Sequence, residues 1–199
     1  MIVSVNIRLM GVLYTIAWVI AIIYSTIPSY WLLVHPVINF WRGRRVRLST
    51  VGPLWIALWV IVGLSTWPWR MVTLYRTPWT WIPGGVLILT GLGIYTRARQ
   101  DFSTDQIFGR SELEPERHEQ RLNTSGIRAR VRHPYYLGHL CELLGWALGA
   151  GLIVLYVLTA FAMVTGALMI AAEERELEAR FGEPYRNYKR RVPAILPHL

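Results

Sequence analysis

LLGWALGAGLIVLYVLTAFAMVTGALMIAA, Leu143–Ala172, is 30 residues long and contains no formal charge. A crossing of the hydrocarbon core takes about 20 apolar residues. Three further blocks have the same character: Leu9–Val34 (26 residues), Val51–Trp69 (19) and Thr77–Thr96 (20). The buried helices of a soluble protein would show a charged residue every turn or two on an outer face. None of these blocks has such a face. Helices are the expected form, because backbone polar groups in lipid must pair within their own segment. Counted from Tyr135, the last block runs to 38 residues, about 57 Å as one helix at roughly 1.5 Å per residue. That is nearly twice the apolar thickness of about 30 Å. Gly149-Ala150-Gly151 lies inside it and is suited to a tight turn. The expected fold is an all-α integral membrane protein with about five transmembrane helices, the last two a helical hairpin with a short first arm.

Charge placement agrees. Hydrophobic residues are 53% of the chain, ten residues are Trp, and the net charge is +9. Four basic residues, Arg42, Arg44, Arg45 and Arg47, follow the first block; eight Arg lie in Arg97–Arg132; five Arg and one Lys lie in Arg175–Arg191. These are 18 of the 21, and only Arg8, Arg70 and Arg76 remain. With five spans the 18 share one side, which the positive-inside rule makes the cytoplasm, with the N-terminus outside. The positive charge is then explained by topology and anionic membrane lipid, and nucleic acid is not a partner. A single cysteine, Cys141, excludes an intramolecular disulfide and any cysteine-built metal site. The first block is too long for a signal peptide and lacks a clear cleavage site, so it is expected to stay in the mature chain. Pro28, Pro36, Pro53, Pro68, Pro78 and Pro83-Gly84-Gly85 read as markers of span ends. No sequence feature sets an oligomeric state.

Two polar stretches remain, both expected in the cytoplasm. The first ends in Thr124-Ser125-Gly126-Ile127-Arg128-Ala129-Arg130-Val131-Arg132-His133-Pro134-Tyr135-Tyr136. Pro134 suits the first turn of a helix, which presents His133 and the tyrosines at a helix start. Free N–H groups there favour a carboxylate or phosphate. The alternative is an interfacial anchor of Arg, His and Tyr. The second stretch, Glu173–Pro193, starts with acidic residues on the positive side of a span, so Glu173 and Glu174 call for a partner such as a cationic ligand. A solvated helix face is the simpler explanation for Glu176 and Glu178, and Glu176 with Arg180 forms an i,i+4 pair. Phe181-Gly182 reads as a helix stop, and Pro184 as the start of a short last helix.

On the short arm, Tyr135, His139 and Glu142 are spaced i, i+4, i+7 and share a helical face. Ionisable groups at membrane depth usually face a cavity or the bundle interior. His139 and Glu142 are therefore the acid–base candidates, unless they simply hydrogen-bond each other. One His and one Glu fall short of a zinc site, and no metal is expected.

The ordered set Leu122-x-Thr124-x-Gly126, Arg132-His133-Pro134-x-Tyr136-x-Gly138, an apolar hairpin, Glu173-Glu174-x-x-Leu177-x-x-x-Phe181-Gly182-x-x-Tyr185-x-x-Tyr188 and Val192-Pro193 with Pro197 resembles the isoprenylcysteine carboxyl methyltransferase family. The match covers roughly residues 90 to 199; the earlier spans match only in hydropathy. The resemblance divides the chain into three N-terminal transmembrane helices (1–96) and a methyltransferase half (97–199), whose cytoplasmic segments close a cofactor site. It implies that S-adenosylmethionine is bound by His133, Pro134, Tyr135 and Tyr136, with backbone contacts from Leu122 and Asn123, and that Glu173 holds its positive end. A carboxylate, a helix start and aromatic rings suit the ammonium, sulfonium, carboxylate and adenine of that molecule.

The implied activity is methyl transfer to a lipophilic small molecule entering from the bilayer, or to an isoprenylcysteine-like carboxylate, at a site facing the cytoplasm. His139 and Glu142 are the candidate catalytic groups. Three positions depart from the family pattern. Met169 stands where an Arg serves the substrate carboxylate, Arg128 stands where a Tyr is usual, and Gln120 aligns with a His that finds its nearest counterpart in His118. These departures touch the acceptor more than the cofactor. A competing resemblance is to membrane sterol reductases, which bind NADPH in a similar half; Pro134 and the paired glutamates favour the methyltransferase, since a phosphate-rich cofactor suits Arg. A scaffold or membrane sensor retaining the fold is the non-enzymatic alternative.

Overall fold

A computed structural model describes residues 2–37, 40, 48–100 and 121–197, with backbone alone for 2–9 and 48–51. Arg42, Arg44, Arg45, Arg47, Arg110, Arg117, His118 and Gln120 lie outside the described residues. Among those described, the α-helices are α1 (Ile2–Leu32), α2 (Leu48–Thr66), α3 (Trp81–Gln100), α4 (Pro134–Ala150), α5 (Ile153–Phe181) and α6 (Glu183–Arg191). No strand occurs among them beyond one isolated bridge, Thr73 with Leu152.

The long apolar run breaks where its glycines are. Helix α4 stops at Ala150, Gly151 takes φ +64°, and α5 starts at Ile153. A left-handed residue ends a helix cheaply only as glycine. Gly182, φ +60°, separates α5 from α6 in the same manner, and α4 begins at Pro134. The prolines are less reliable markers. Pro28 lies inside α1 and Pro53 inside α2, so neither ends a span, whereas Pro36, Pro68 and Pro78 sit in short 3-10 turns. Pro83 and Gly84 fall in the first turn of α3, where a missing N–H costs no helical hydrogen bond.

Helix α4 packs chiefly on α3, and α5 chiefly on α1. The α3–α4 contact is made by backbone. A Cβ placed on Gly84 would come within 2.7 Å of the Gly145 carbonyl oxygen, and one on Gly91 within 2.8 Å of that of Gly138. Small residues let helices approach this closely where no hydrophobic force drives them together. Between α1 and α2 the polar groups are satisfied in pairs. The Thr26 hydroxyl accepts the indole N–H of Trp55 (3.0 Å) and of Trp59 (2.9 Å) and donates to the Ile22 carbonyl, while Thr66 accepts from Trp18 (2.9 Å).

The two ends of the bundle are tied differently. At one, Leu74 N donates to Gly151 O (2.7 Å), Ile153 N donates to Val72 O (3.0 Å), and Tyr75 donates to Leu148 O (2.9 Å). This end carries Arg70 and Arg76. At the other, Arg132 N and His133 N donate to Pro193 O and Ala194 O, both at 2.9 Å, so the C-terminal tail lies along the start of α4.

The outer faces are apolar. Leu64 on α2 is 71% exposed and Leu89 on α3 is 69% exposed, with Ile61, Val86, Val164 and Leu168 in similar positions. Such a belt matches hydrocarbon rather than water. Among the described residues, two segments are long and apolar enough to cross a membrane, Met10–Val37 and Ile153–Phe181.

Candidate functional site

His133 caps α4 and is almost fully buried. Its imidazole lies between two adjacent carboxylates of α5, with Nδ1 3.3 Å from Glu173 Oε2 and Nε2 3.2 Å from Glu174 Oε1. The two carboxylates have different surroundings. Glu174 is saturated: Arg132 donates to Oε1 from Nη2 (2.5 Å) and Nε (2.9 Å), and Lys189 reaches Oε2 at 3.0 Å. Arg132 also donates to the carbonyls of Lys189 and Val192, and Tyr188 donates to the Arg128 carbonyl at 2.7 Å. Glu174 thus fastens the segment before α4 to α6 and the tail. Glu173 Oε2 is buried without a hydrogen bond; besides His133, it has the charges of His35 and Arg128 near it.

Burial works against a charged His133 ring, but the Glu173 and Glu174 carboxylates outweigh it and raise the pKa to about 9. A pKa raised above the usual value of about 6.5 contributes stability that is complete below that value and lost as pH passes the folded value. The melting temperature of detergent-purified protein is therefore expected to fall between about pH 6.5 and pH 9. His133→Gln should flatten that dependence; an equal fall in the variant would remove His133 as its source.

Tyr136 connects this polar cluster to an apolar cavity. Its ring is 5.9 Å from that of His133, and its hydroxyl donates to Met169 Sδ at 3.0 Å. Met169 is completely buried, so the position where an Arg was expected holds a thioether facing a phenol. The cavity holds about 590 Å³ of empty space, part of it open to the surroundings, between α1, α4, α5 and Ile195 of the tail. Tyr24, Pro28, Tyr136, His139, Met163 and Gly166 are among its walls.

The remaining expected residues divide. His139 lines the cavity, with Nδ1 2.7 Å from the Tyr135 carbonyl oxygen and its ring 5.2, 5.1 and 6.3 Å from those of Tyr24, Tyr95 and Tyr136. No hydrogen bond joins it to Glu142. Glu142 is buried outside the cavity lining, where its Cγ faces Gly91 and Tyr24 approaches its carboxylate. Pro134 is fully buried at the helix start. Tyr135 turns toward α3, 5.9 Å from Tyr95. Asn123 accepts from Ser125 N and Oγ, both at 3.0 Å, closing a local turn, and Leu122 is half-buried beside it. Neither joins the ion pairs of His133. Arg132 is committed to Glu174 and the tail. Sequence reasoning did not find His35, Tyr24 or Tyr95. His35 had a signal, as an ionisable residue directly after an apolar run; the two tyrosines had none.

A family model for phospholipid methyltransferase matches residues 79–184, over half of the chain and spanning α3 to the start of α6. The chain belongs to the phospholipid methyltransferase family. Within that family it is similar to proteins named for two acceptors. Protein-S-isoprenylcysteine O-methyltransferase of Schizosaccharomyces pombe is 32% identical over 109 residues, 53% of this chain and 45% of that protein. The Mus musculus protein of the same name is 28% identical over 154 residues, 71% of this chain and 52% of its own. Methanethiol S-methyltransferase 2 of Bradyrhizobium diazoefficiens is 29% identical over 167 residues, 80% of this chain and 54% of its own. The chain spans about half the length of these curated relatives. No solved structure matches it. The resemblance to isoprenylcysteine carboxyl methyltransferases therefore stands, and nothing among these matches supports a sterol reductase.

Proposed function

We propose that this chain is a membrane-embedded methyltransferase that uses S-adenosylmethionine and acts on a lipophilic small molecule entering from the bilayer. The observation that carries this is Glu173: a carboxylate whose buried Oε2 faces the His133 ring at 3.3 Å but accepts no hydrogen bond from it, on the margin of a polar cluster that adjoins an apolar cavity through Tyr136. A bound ammonium would satisfy that oxygen, while His133 and Arg128 suit the carboxylate of the same amino-acid end. The donor supplies a methyl group on a sulfonium. The protein's part is to hold the amino-acid end at Glu173 and His133, to stack aromatic surface at Tyr136, and to keep water from the acceptor.

Five crossings are part of the proposal. They are supported by the contact between the loop carrying Arg70 and Arg76 and the Gly151 turn, at the end opposite Arg128, Arg132, Lys189 and Arg190. The site then faces the cytoplasm. Relatives named for isoprenylcysteine and for methanethiol favour an acceptor with a sulfur-bearing or prenyl-like apolar body.

Binding of labelled S-adenosylmethionine to detergent-purified protein tests the reading. Glu173→Gln should weaken it about 10- to 100-fold, the equivalent of one charge-assisted hydrogen bond of roughly 1.5–3 kcal/mol, with the protein still folded. Unchanged affinity would move the ammonium away from Glu173.

A further inference from the structure

We propose that His139 is the base that takes a proton from the methyl acceptor, and that the acceptor is a lipophilic thiol held in the cavity between α1, α4 and α5. This deepens the methyltransferase reading and rests on it. The Tyr135 carbonyl, 2.7 Å from His139 Nδ1, can only accept, so Nδ1 carries the ring proton. Nε2 is then a lone pair, and among the described residues it meets no hydrogen-bond partner. The ring forms part of the cavity wall. Tyr24, Tyr95 and Tyr136 flank it.

The lining selects the acceptor. Among the described residues neither Arg nor Lys is in the cavity walls, Met169 replaces the expected Arg, and Arg132 is bound by Glu174. A carboxylate would be buried without a cation. An amine is an ammonium at neutral pH, and an alcohol is too weak an acid for imidazole. A thiol, the class to which the cysteine side chain with its pKa of about 8.5 belongs, is a far stronger acid than an alcohol and enters an apolar cavity uncharged. In the transfer, the S–H proton passes to His139 Nε2 and the acceptor sulfur forms a new bond to the methyl carbon. The bond from that carbon to the sulfonium breaks, leaving its electron pair on the departing thioether. The imidazolium then returns its proton to water.

The full-length protein in detergent is tested with tritiated dodecanethiol, without and with S-adenosylmethionine. Wild type should bind the thiol without the methyl donor. Gly166→Leu should lose that binding, because a Cβ there meets nothing nearer than Pro28 Cγ at 3.8 Å and Gly166 is part of the cavity wall, so the longer side chain takes up cavity space. His139→Gln should bind S-adenosylmethionine and dodecanethiol as wild type does, yet methylate dodecanethiol about a hundredfold or more slowly, the usual scale of a lost general base. Thiophenol, which ionises unaided, should lose much less. Faster methylation of dodecanoate than of dodecanethiol, an unchanged rate in His139→Gln, or thiol binding that survives Gly166→Leu would each overturn the proposal. Failure of wild type to bind S-adenosylmethionine while dodecanethiol still binds would overturn the methyl-transfer reading and support the thiol site on its own.

Discussion

Glu174→Ala is expected to lower the stability of the protein by about 3–5 kcal/mol, the scale for removing one partner of a buried ion pair. The size follows from how many groups the carboxylate serves. Arg132 and His133 approach Oε1, Lys189 approaches Oε2, and Arg132 in turn holds the carbonyls of Lys189 and Val192. Without Glu174, three basic side chains face one another around a buried space. The backbone bonds from Arg132 and His133 to Pro193 and Ala194 then lose the side-chain network that holds their strands of chain together. Limited trypsin digestion should show it first, as fast cleavage at Arg186, Lys189, Arg190 and Arg191, followed by a lower melting temperature. Glu174→Gln keeps an acceptor for Arg132 and should fall between. A variant Glu174→Ala that melts and digests like wild type would mean that the tail is held by its backbone bonds alone. The contrast with Glu173→Gln separates structure from binding. Glu173 has His133 as its one ion-pair partner among the described residues, so Glu173→Gln is expected to melt closer to wild type than Glu174→Ala and to show its main loss in ligand affinity.

That contrast also marks where sequence reasoning worked. Helix breaks carried by glycine at positive φ were readable, because Gly151 and Gly182 sit where an apolar or polar run must turn and no other residue takes that conformation cheaply. Pro134 as a helix start was readable for a similar local reason. The choice of Glu173 over Glu174 as the ligand carboxylate came from the family resemblance. In the structure Glu174 is already occupied by three basic side chains. Partners across the fold were not readable. Tyr24 reaches His139 from more than a hundred residues away, and nothing local in α1 distinguishes it from the tyrosines at 14 and 30. Likewise Met169 was visible as a departure from a pattern, but its contact with the Tyr136 hydroxyl depends on how α5 rotates against α4. Pro28 misled because proline stops a helix in water more reliably than inside a bundle, where neighbouring helices supply packing. The glycines of α3 were read as punctuation at one end, and their part in the contact with α4 shows only when both helices are in place.

Those glycines give the second large effect, and it has opposite signs at two positions of one helix pair. Replacing a helical glycine that has open space beside it by alanine should stabilise by about 0.5–1 kcal/mol, through the lost freedom of the unfolded chain. Gly93→Ala is expected to do so, since a Cβ there meets nothing within 4 Å. Gly145→Ala should destabilise by about 1–3 kcal/mol, the cost of overpacking. Its Cβ would stand 2.7 Å from the Gly84 carbonyl oxygen, 2.7 Å from Ile88 Cγ1 and 3.0 Å from Ile88 N. Two of those three atoms are backbone, so relief requires α3 to move away from α4 rather than a side chain to rotate. The movement has a functional consequence. Tyr95 on α3 packs edge-on to His139, and Gly91 gives Glu142 its place. Displacing α3 therefore loosens the ring that faces the cavity while leaving His133, Glu173 and Glu174 fastened at the polar end. Gly145→Ala is expected to keep S-adenosylmethionine affinity within about twofold, the order of a few tenths of a kcal/mol, and to lose acceptor methylation along with melting temperature. Melting curves of Gly93→Ala and Gly145→Ala that shift in the same direction would show that α3 and α4 do not meet through their backbones.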